Sequence, residues 1–199
     1  MALVRRKPVA AAQEVEPADP REALRAGSAA ERRAAARALA GDRAASRDLA
    51  GRLSVEADDS VREAILAALG RIGTPEAVDH LIGLLGSEDV WLRNAAIETL
   101  QVMDAEVLEA LTRALSDPES DRRIFTVNVL VSLRHPEAAA LALRALAEDD
   151  HVNVCAAALD VLAEIGTPET IPAIDAAVAR FPDEPFLRFA ARAAKRRIA

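Results

Sequence analysis

The run DDSVREAILAALGRIGTPEAVDHLIGLLGS over 58–87 carries apolar residues at helical spacing twice, with a break between. Val61, Ile65, Ala68, Leu69 and Ile72 recur at steps of three and four and define one face of a first helix. Gly73 ends that run, and Val78, Leu81, Ile82 and Leu85 then mark a similar face on a second helix. The pattern recurs along the chain. Aligning 58–87 on 88–117 puts Leu69 on Leu100, 31 residues on, and the next equivalents, Leu130 and Leu162, follow after 30 and 32. Upstream, Leu39 precedes Leu69 by 30. Seven residues before each marker leucine stands Arg32, Arg62, Arg93, Arg123 and then Cys155, and the closing segment restores the arginine as Arg188.

Two such helices cannot bury their apolar faces alone, whereas stacking against neighbouring pairs completes a core. The sequence therefore predicts an all-α chain, an α-α superhelix of about five helix pairs plus a C-terminal helix, over 27–199. Residues 1–26 fall outside the repeats, and Pro8, Pro17 and Pro20 read as a flexible tail in which DPREALRAG (19–27) forms a short capping helix. At the other end, Phe186 and Phe189 are expected to close the core, with Arg192, Arg196 and Arg197 solvating the outer face.

Ile-Gly-Thr-Pro-Glu occurs twice, with Thr74 and Thr167 separated by 93 residues, three repeat lengths. A glycine and a hydroxyl at a helix start can cradle phosphate, but here each residue has a helix-end duty. Gly73 and Gly166 are expected to end the first helix in a left-handed conformation, and Thr74 and Thr167 to cap the second. Pro75 and Pro168 suit the first helical position, and Glu76 and Glu169 favour the helix dipole while repelling an anion. The motif reads as punctuation.

Asp59, Val61, Arg62, Ala64, Ala68, Leu69, Gly70, Ile72 and Gly73, followed by Pro75, Glu76, Ala77, Val78 and Leu81, resemble the short HEAT-like repeat of the phycobilisome-lyase type. The resemblance spans 28–198 and is clearest at 58–101 and 150–180. It implies a HEAT-like solenoid, a fold that serves many unrelated tasks. It also implies one enzymatic alternative, a bilin-lyase-like enzyme or lyase subunit acting on a tetrapyrrole-protein substrate. HEAT-repeat deoxyhypusine hydroxylases need paired His-Glu dipeptides for di-iron, and the three histidines here precede Leu81, Pro136 and Val152.

Composition narrows the picture. Aromatics are 3% of the chain and Tyr is absent, so small apolar residues pack the helices. Two basic ends of +3 each flank an acidic body of −13, which favours polar protein contacts or head-to-tail charge pairing over nucleic acid. A HEAT-like DNA glycosylase, with its basic, aromatic-bearing face, fits this balance poorly. A single cysteine permits no internal disulfide, no apolar run reaches membrane-spanning length, and the four-residue run near the start is too short for a signal-peptide core. A cytoplasmic protein is expected, and 23 arginines among 25 basic residues suggest a GC-rich bacterial source.

The ladder Arg32, Arg62, Arg93, Arg123 offers a binding groove or, more simply, ion pairs between repeats with Asp58, Asp59, Glu88, Asp89, Asp121 and Asp150. His151 and Cys155, four apart, share a helix face and are the candidate catalytic or metal-binding pair, although no second cluster completes a metal site. Trp91 aligns with Ser60 and Asn153, polar positions in other copies, so it either anchors an interface or packs between repeats. Partner-binding candidates on the second helices are Glu76, Asp79, His80, Glu106, Glu109 and Arg144, with Glu137, Glu169 and Asp175 alongside. These residues differ from copy to copy and lean acidic. The expectation is a non-enzymatic interaction scaffold, or a regulatory or assembly adaptor, without cofactor or metal. Its partner would be another protein with a basic contact face, not a membrane or nucleic acid.

Overall fold

A computed structural model describes residues 19–103, 106–133 and 135–198. Its helices in chain order are α1 (Pro20–Ala26), α2 (Ala29–Leu39), α3 (Ser46–Leu53), α4 (Asp59–Ile72), α5 (Pro75–Gly83) and α6 (Val90–Gln101). They continue as α7 (Glu106–Ala114), α8 (Ser120–Leu130), α9 (Ala138–Glu148), α10 (Val152–Ile165), α11 (Ile171–Arg180) and α12 (Pro185–Ile198). The described residues contain no strand. Even-numbered helices from α2 to α12 stack on one another as the first-helix layer, while α3 packs on α5, α5 on α7 and α9 on α11. This is the α-α superhelix that the periodicity predicts, five pairs and a closing helix.

The periodic residues build the core. Leu69, Leu100, Leu130 and Leu162 are fully buried and Leu39 nearly so, so the residue that sets the repeat also fills the space between layers. Each such leucine contributes on the order of 2 kcal/mol through removal from water. At the N-terminal end, α1 packs on α2 and α3 through the buried Leu24, within the 19–27 segment read as a cap. The rest of the tail, residues 1–18, lies outside the described residues.

Helix ends show which sequence signals hold. Asp58 accepts from the backbone N–H groups of Ser60 and Val61 at the start of α4, and Gly73 ends it at φ 58°. Thr74 accepts from Ala77 N–H, and Pro75 opens α5. The second copy departs from this reading. Gly166 is extended, at φ −74°, and Thr167 makes no side-chain cap. A Cβ on Gly166 would stand 2.3 Å from the Leu162 carbonyl oxygen and 3.2 Å from Ile198 Cδ1. Glycine there chiefly keeps a Cβ off the Leu162 carbonyl of its own helix, with the approach of Ile198 on α12 second, and does not serve left-handed backbone. A 3-10 turn over Pro168–Thr170 follows, with the Thr170 hydroxyl donating to Thr167 O at 2.7 Å.

The C-terminal expectation also changes. Phe186 and Phe189 are 62% and 58% exposed; Leu187, Ala190, Ala191 and Ala194 bury α12 instead. α12 packs on α10 and α11, and Phe186 and Phe189 lie off that contact. Arg192 and Lys195 stand where α10 carries the buried Leu159 and Leu162.

Candidate interaction surface

The repeated arginine position does two jobs at each seam. First, it donates to a carbonyl in the loop before its own helix. Arg62 reaches Glu56 O at 2.6 Å, Arg93 reaches Ser87 O at 2.7 Å, and Arg123 reaches Asp117 O at 2.9 Å, each six residues back. Arg32 donates to Gly27 O and Arg188 to Pro182 O. Second, most rungs grip a carboxylate in the next repeat. Arg32 forks onto Glu56 at 2.7 and 2.9 Å, Arg123 forks onto Asp149 at 2.7 and 3.0 Å, and Arg62 meets Asp89 at 3.1 Å. The partners are thus Glu56 and Asp149 rather than Asp58 and Asp150, because Asp58 is committed to capping α4. Arg93 lies over the Phe125 ring at 4.6 Å and has no carboxylate partner among the described residues.

Glu56 is the buried hub of this ladder. It also binds Arg52 at 2.9 Å and accepts from the Ala57 and Asp58 N–H groups, so its carboxyl is held far below the usual range, chiefly by Arg32. Trp91 is half-buried against the core, with the Arg62 guanidinium 5.9 Å from its ring centroid. The indole therefore packs in the seam.

Cys155 keeps half of the arginine's geometry. Its Sγ donates to Asp149 O at 3.3 Å, the carbonyl six residues back, and the side chain is fully buried. The missing guanidinium arrives from elsewhere: Arg180 on α11 donates to the carbonyls of Leu146, Ala147 and Asp149. Burial pushes the Cys155 thiol up to about 11, opposite to the activation that a nucleophile or metal ligand needs. His151 precedes α10 and its buried Nδ1 has no hydrogen-bond partner, so the thiol and imidazole do not form a hydrogen-bonded pair. Among the described residues, no group of three His, Cys, Asp or Glu side chains could hold a metal ion, and no helix is long and apolar enough to cross a membrane.

On the second-helix face, several candidate residues are held by neighbouring groups of the chain. Glu76 pairs with Arg47 at 3.1 Å; Arg113 pairs with Asp79 at 2.8 Å and with Glu109 at 2.9 Å. Arg144 donates to Thr112 O at 3.2 Å and lies 3.7 Å from Glu148, and Asp175 holds Lys195. His80 is half-buried with an unpartnered Nε2, and Glu106 lies in the first turn of α7.

The first-helix face differs, and no sequence signal singled it out. Between α4 and α6 lies a cleft of about 480 Å³ with Leu66, Ala67, Gly70, Ala95, Val102 and Met103 along it. Val102 is 81% exposed beside it. Gly70 shapes this cleft: a Cβ there would meet Thr99 Cγ2 at 2.8 Å. Smaller depressions continue on either side, about 270 Å³ toward α2 with Arg37 and about 290 Å³ toward Arg43, and Arg71 borders all three. Glu63 and Glu98 edge the main cleft. These five exposed charged side chains have no ion-pair partner among the described residues. The signal that could have found the cleft is Gly70 in the interior of α4, which marks close approach by a neighbour.

Comparison with known proteins agrees with this architecture. The family model for HEAT repeats matches residues 18–101 and 108–195. A search of the curated proteins returned no match. Among solved structures, human deoxyhypusine hydroxylase in complex with glycerol is 19% identical, with a TM-score of 0.47, over 90% of this chain and 83% of that one. An engineered protein is 21% identical, with a TM-score of 0.42, over 90% and 94%. The complex of CpcE and CpcF of phycocyanin lyase from Nostoc sp. PCC7120 is 19% identical, with a TM-score of 0.38, over the full length of both. With the repeat matched over most of its length, the chain belongs to the HEAT-repeat family.

Proposed function

We propose that this chain is a non-enzymatic protein-interaction scaffold whose partner docks in the α4–α6 cleft. One contrast carries the reading: several second-helix charges are held by neighbouring groups of the chain, whereas the cleft has an apolar floor and unpaired charged edges. An apolar patch edged by unpaired charges is the pattern of a docking surface. The partner would insert an apolar side chain beside Leu66 and Met103 and set a basic group against Glu63 and Glu98. HEAT repeats suit this work, because a rigid stack presents an extended surface.

Affinity capture with the wild-type chain, Ala67→Glu, Val102→Glu and the double variant Glu76→Ala/Asp79→Ala tests this reading. A protein retained by wild type and the double variant but lost with both cleft variants supports it. Retention by all of them, or loss only with the double variant, places binding elsewhere. A shifted absorption band on adding bilin would favour the tetrapyrrole alternative.

A further inference from the structure

α12 has two unlike faces. Leu187, Ala190, Ala191 and Ala194 are buried, and the helix packs on α10 and α11. Phe186, Phe189 and Arg196 are exposed, and Ala193 between them is partly so. These four positions follow helical steps of three and four and form one stripe. Among the described residues, the other exposed large hydrophobics are Val55, Val90 and Val102, far apart in sequence. Phe186 and Phe189 are the one pair of them within a helical turn.

Charge is ordered along the same helix. Asp183 and Glu184 are exposed just before it, and Arg192 and Arg196 are exposed beyond the phenylalanines. The other cations of α12 are engaged: Arg188 donates to Pro182 O, Lys195 pairs with Asp175 at 2.5 Å, and Arg197 pairs with Glu164 at 2.7 Å. Asp183, Glu184, Arg192 and Arg196 form no ion pair among the described residues.

An acidic start, an aromatic middle and a basic end complement themselves when two such helices run antiparallel. With the pair centred on Phe189, residues before it in one copy meet residues after it in the other. Phe186, three before, lies about 1.5 Å along the axis from the partner's Ala193, four after, so a large side chain faces a small one. Glu184, five before, falls between the partner's Arg192 and the partner's Arg196, three and seven after, about 3 Å along the axis from each. Every contact occurs twice, as a two-fold interface requires.

We propose that this face of α12 is a self-association surface on which a second copy of the chain packs its own α12 antiparallel, with the phenylalanines at the centre and the Glu184–arginine pairs on either side. The contact uses none of the α4–α6 cleft, so it stands or falls apart from the docking role given above.

Sedimentation velocity on the full chain tests it, with circular dichroism confirming that each variant is folded. A contact of one helix per copy is small beside standard interfaces, so the wild type should be monomeric at about 5 µM and dimeric at about 500 µM. Phe189→Glu should leave it monomeric at both. Glu184→Arg alone, and Arg192→Glu/Arg196→Glu alone, each set like charges against one another and should weaken dimerisation at least about tenfold. An equimolar mixture of those two variants restores every charge pair and should associate within about threefold of the wild type. A wild type that stays monomeric overturns the proposal. So does a dimer that survives Phe189→Glu, or a mixture that associates no better than its components. Ala67→Glu and Val102→Glu should leave self-association unchanged. If they abolish it, α12 of one copy sits in the cleft of another and the antiparallel pairing is wrong.

Discussion

Arg62 and Arg71 sit on the same helix and do opposite things. Arg62 is largely buried in the seam, bonded to Glu56 O and Asp89 and lying against Trp91. Arg71, in the last turn of α4, is exposed at the junction of three depressions and bonds no carboxylate among the described residues. The pair Arg32 and Arg37 repeats the contrast on α2. A solenoid needs charges that fix one repeat against the next, and it is free to use the others for something outside itself. Seam charges should therefore govern stability, and cleft charges should govern binding.

The largest effect is expected at Glu56. Glu56→Ala leaves Arg32 and Arg52 facing an apolar stub in a buried site, a loss of about 3 kcal/mol in unfolding free energy measured by urea denaturation. The same residue sets an acid limit. Its folded carboxyl lies far below the ordinary value of about 4.3, so its contribution is fully present above about pH 5 and fades as pH falls below that. The wild type should lose stability more steeply than Glu56→Ala between pH 5 and 3. Parallel curves would show that the carboxylate contributes nothing through its charge.

Next in size is the rung that changed hands. Cys155→Arg restores the repeat pattern on paper, yet Arg180 already occupies the carbonyls of Leu146, Ala147 and Asp149. Two guanidinium groups in one buried seat should cost about 2 kcal/mol. Arg180→Ala alone should also destabilise, and the double variant Cys155→Arg/Arg180→Ala should recover at least about 1 kcal/mol relative to additivity. Additive losses would mean that the two positions do not share a seat.

That exchange shows what a single chain makes legible. Leu39, Leu69, Leu100, Leu130 and Leu162 mark both the period and the buried layer, because one apolar position per repeat must meet the same neighbours each time. Thr74 and Gly73 are legible from local helix-end chemistry, whereas the extended backbone of Gly166, its Cβ position blocked by the Leu162 carbonyl and neighboured by the distant Ile198, is not told apart from Gly73 by the shared motif. Phe186 and Phe189 mislead because aromatic spacing marks a face without telling whether anything covers it. The acidic candidates on α5 and α7 were visible, but their pairing with Arg47 and Arg113 depends on how adjacent repeats align. The cleft stayed hidden because it is a gap between two helices and not a motif on either.

A smaller effect falls on the cleft floor. Gly70→Ala adds a methyl 2.8 Å from Thr99 Cγ2, and the Thr99 hydroxyl, bonded to Ala95 O at 2.7 Å, resists rotation. Helix propensity favours alanine by about 1 kcal/mol, and the clash should outweigh it, for a net loss of about 1 kcal/mol. Thr99→Ser in the same chain removes the clashing methyl and keeps the hydroxyl bond. The double variant should then be at least as stable as wild type. If it is not, the glycine is needed for something other than the approach of α6.

The smallest expected change is the one that most sharpens the comparison. Glu63→Ala and Arg71→Ala remove exposed side chains without ion-pair partners among the described residues, so each should move the unfolding free energy by less than about 0.5 kcal/mol. Arg62→Ala, on the same helix, should cost clearly more, because it frees a loop carbonyl and Asp89 together. Salt separates the two classes further. Raising ionic strength should leave the penalty of Arg62→Ala largely intact, since its contacts are half-buried, but should weaken any binding that depends on Glu63 and Arg71. If Arg71→Ala proved as destabilising as Arg62→Ala, the cleft charges would be part of the seam and their availability for a partner would fall. A near-zero stability effect together with lost partner capture is the outcome that a docking surface requires.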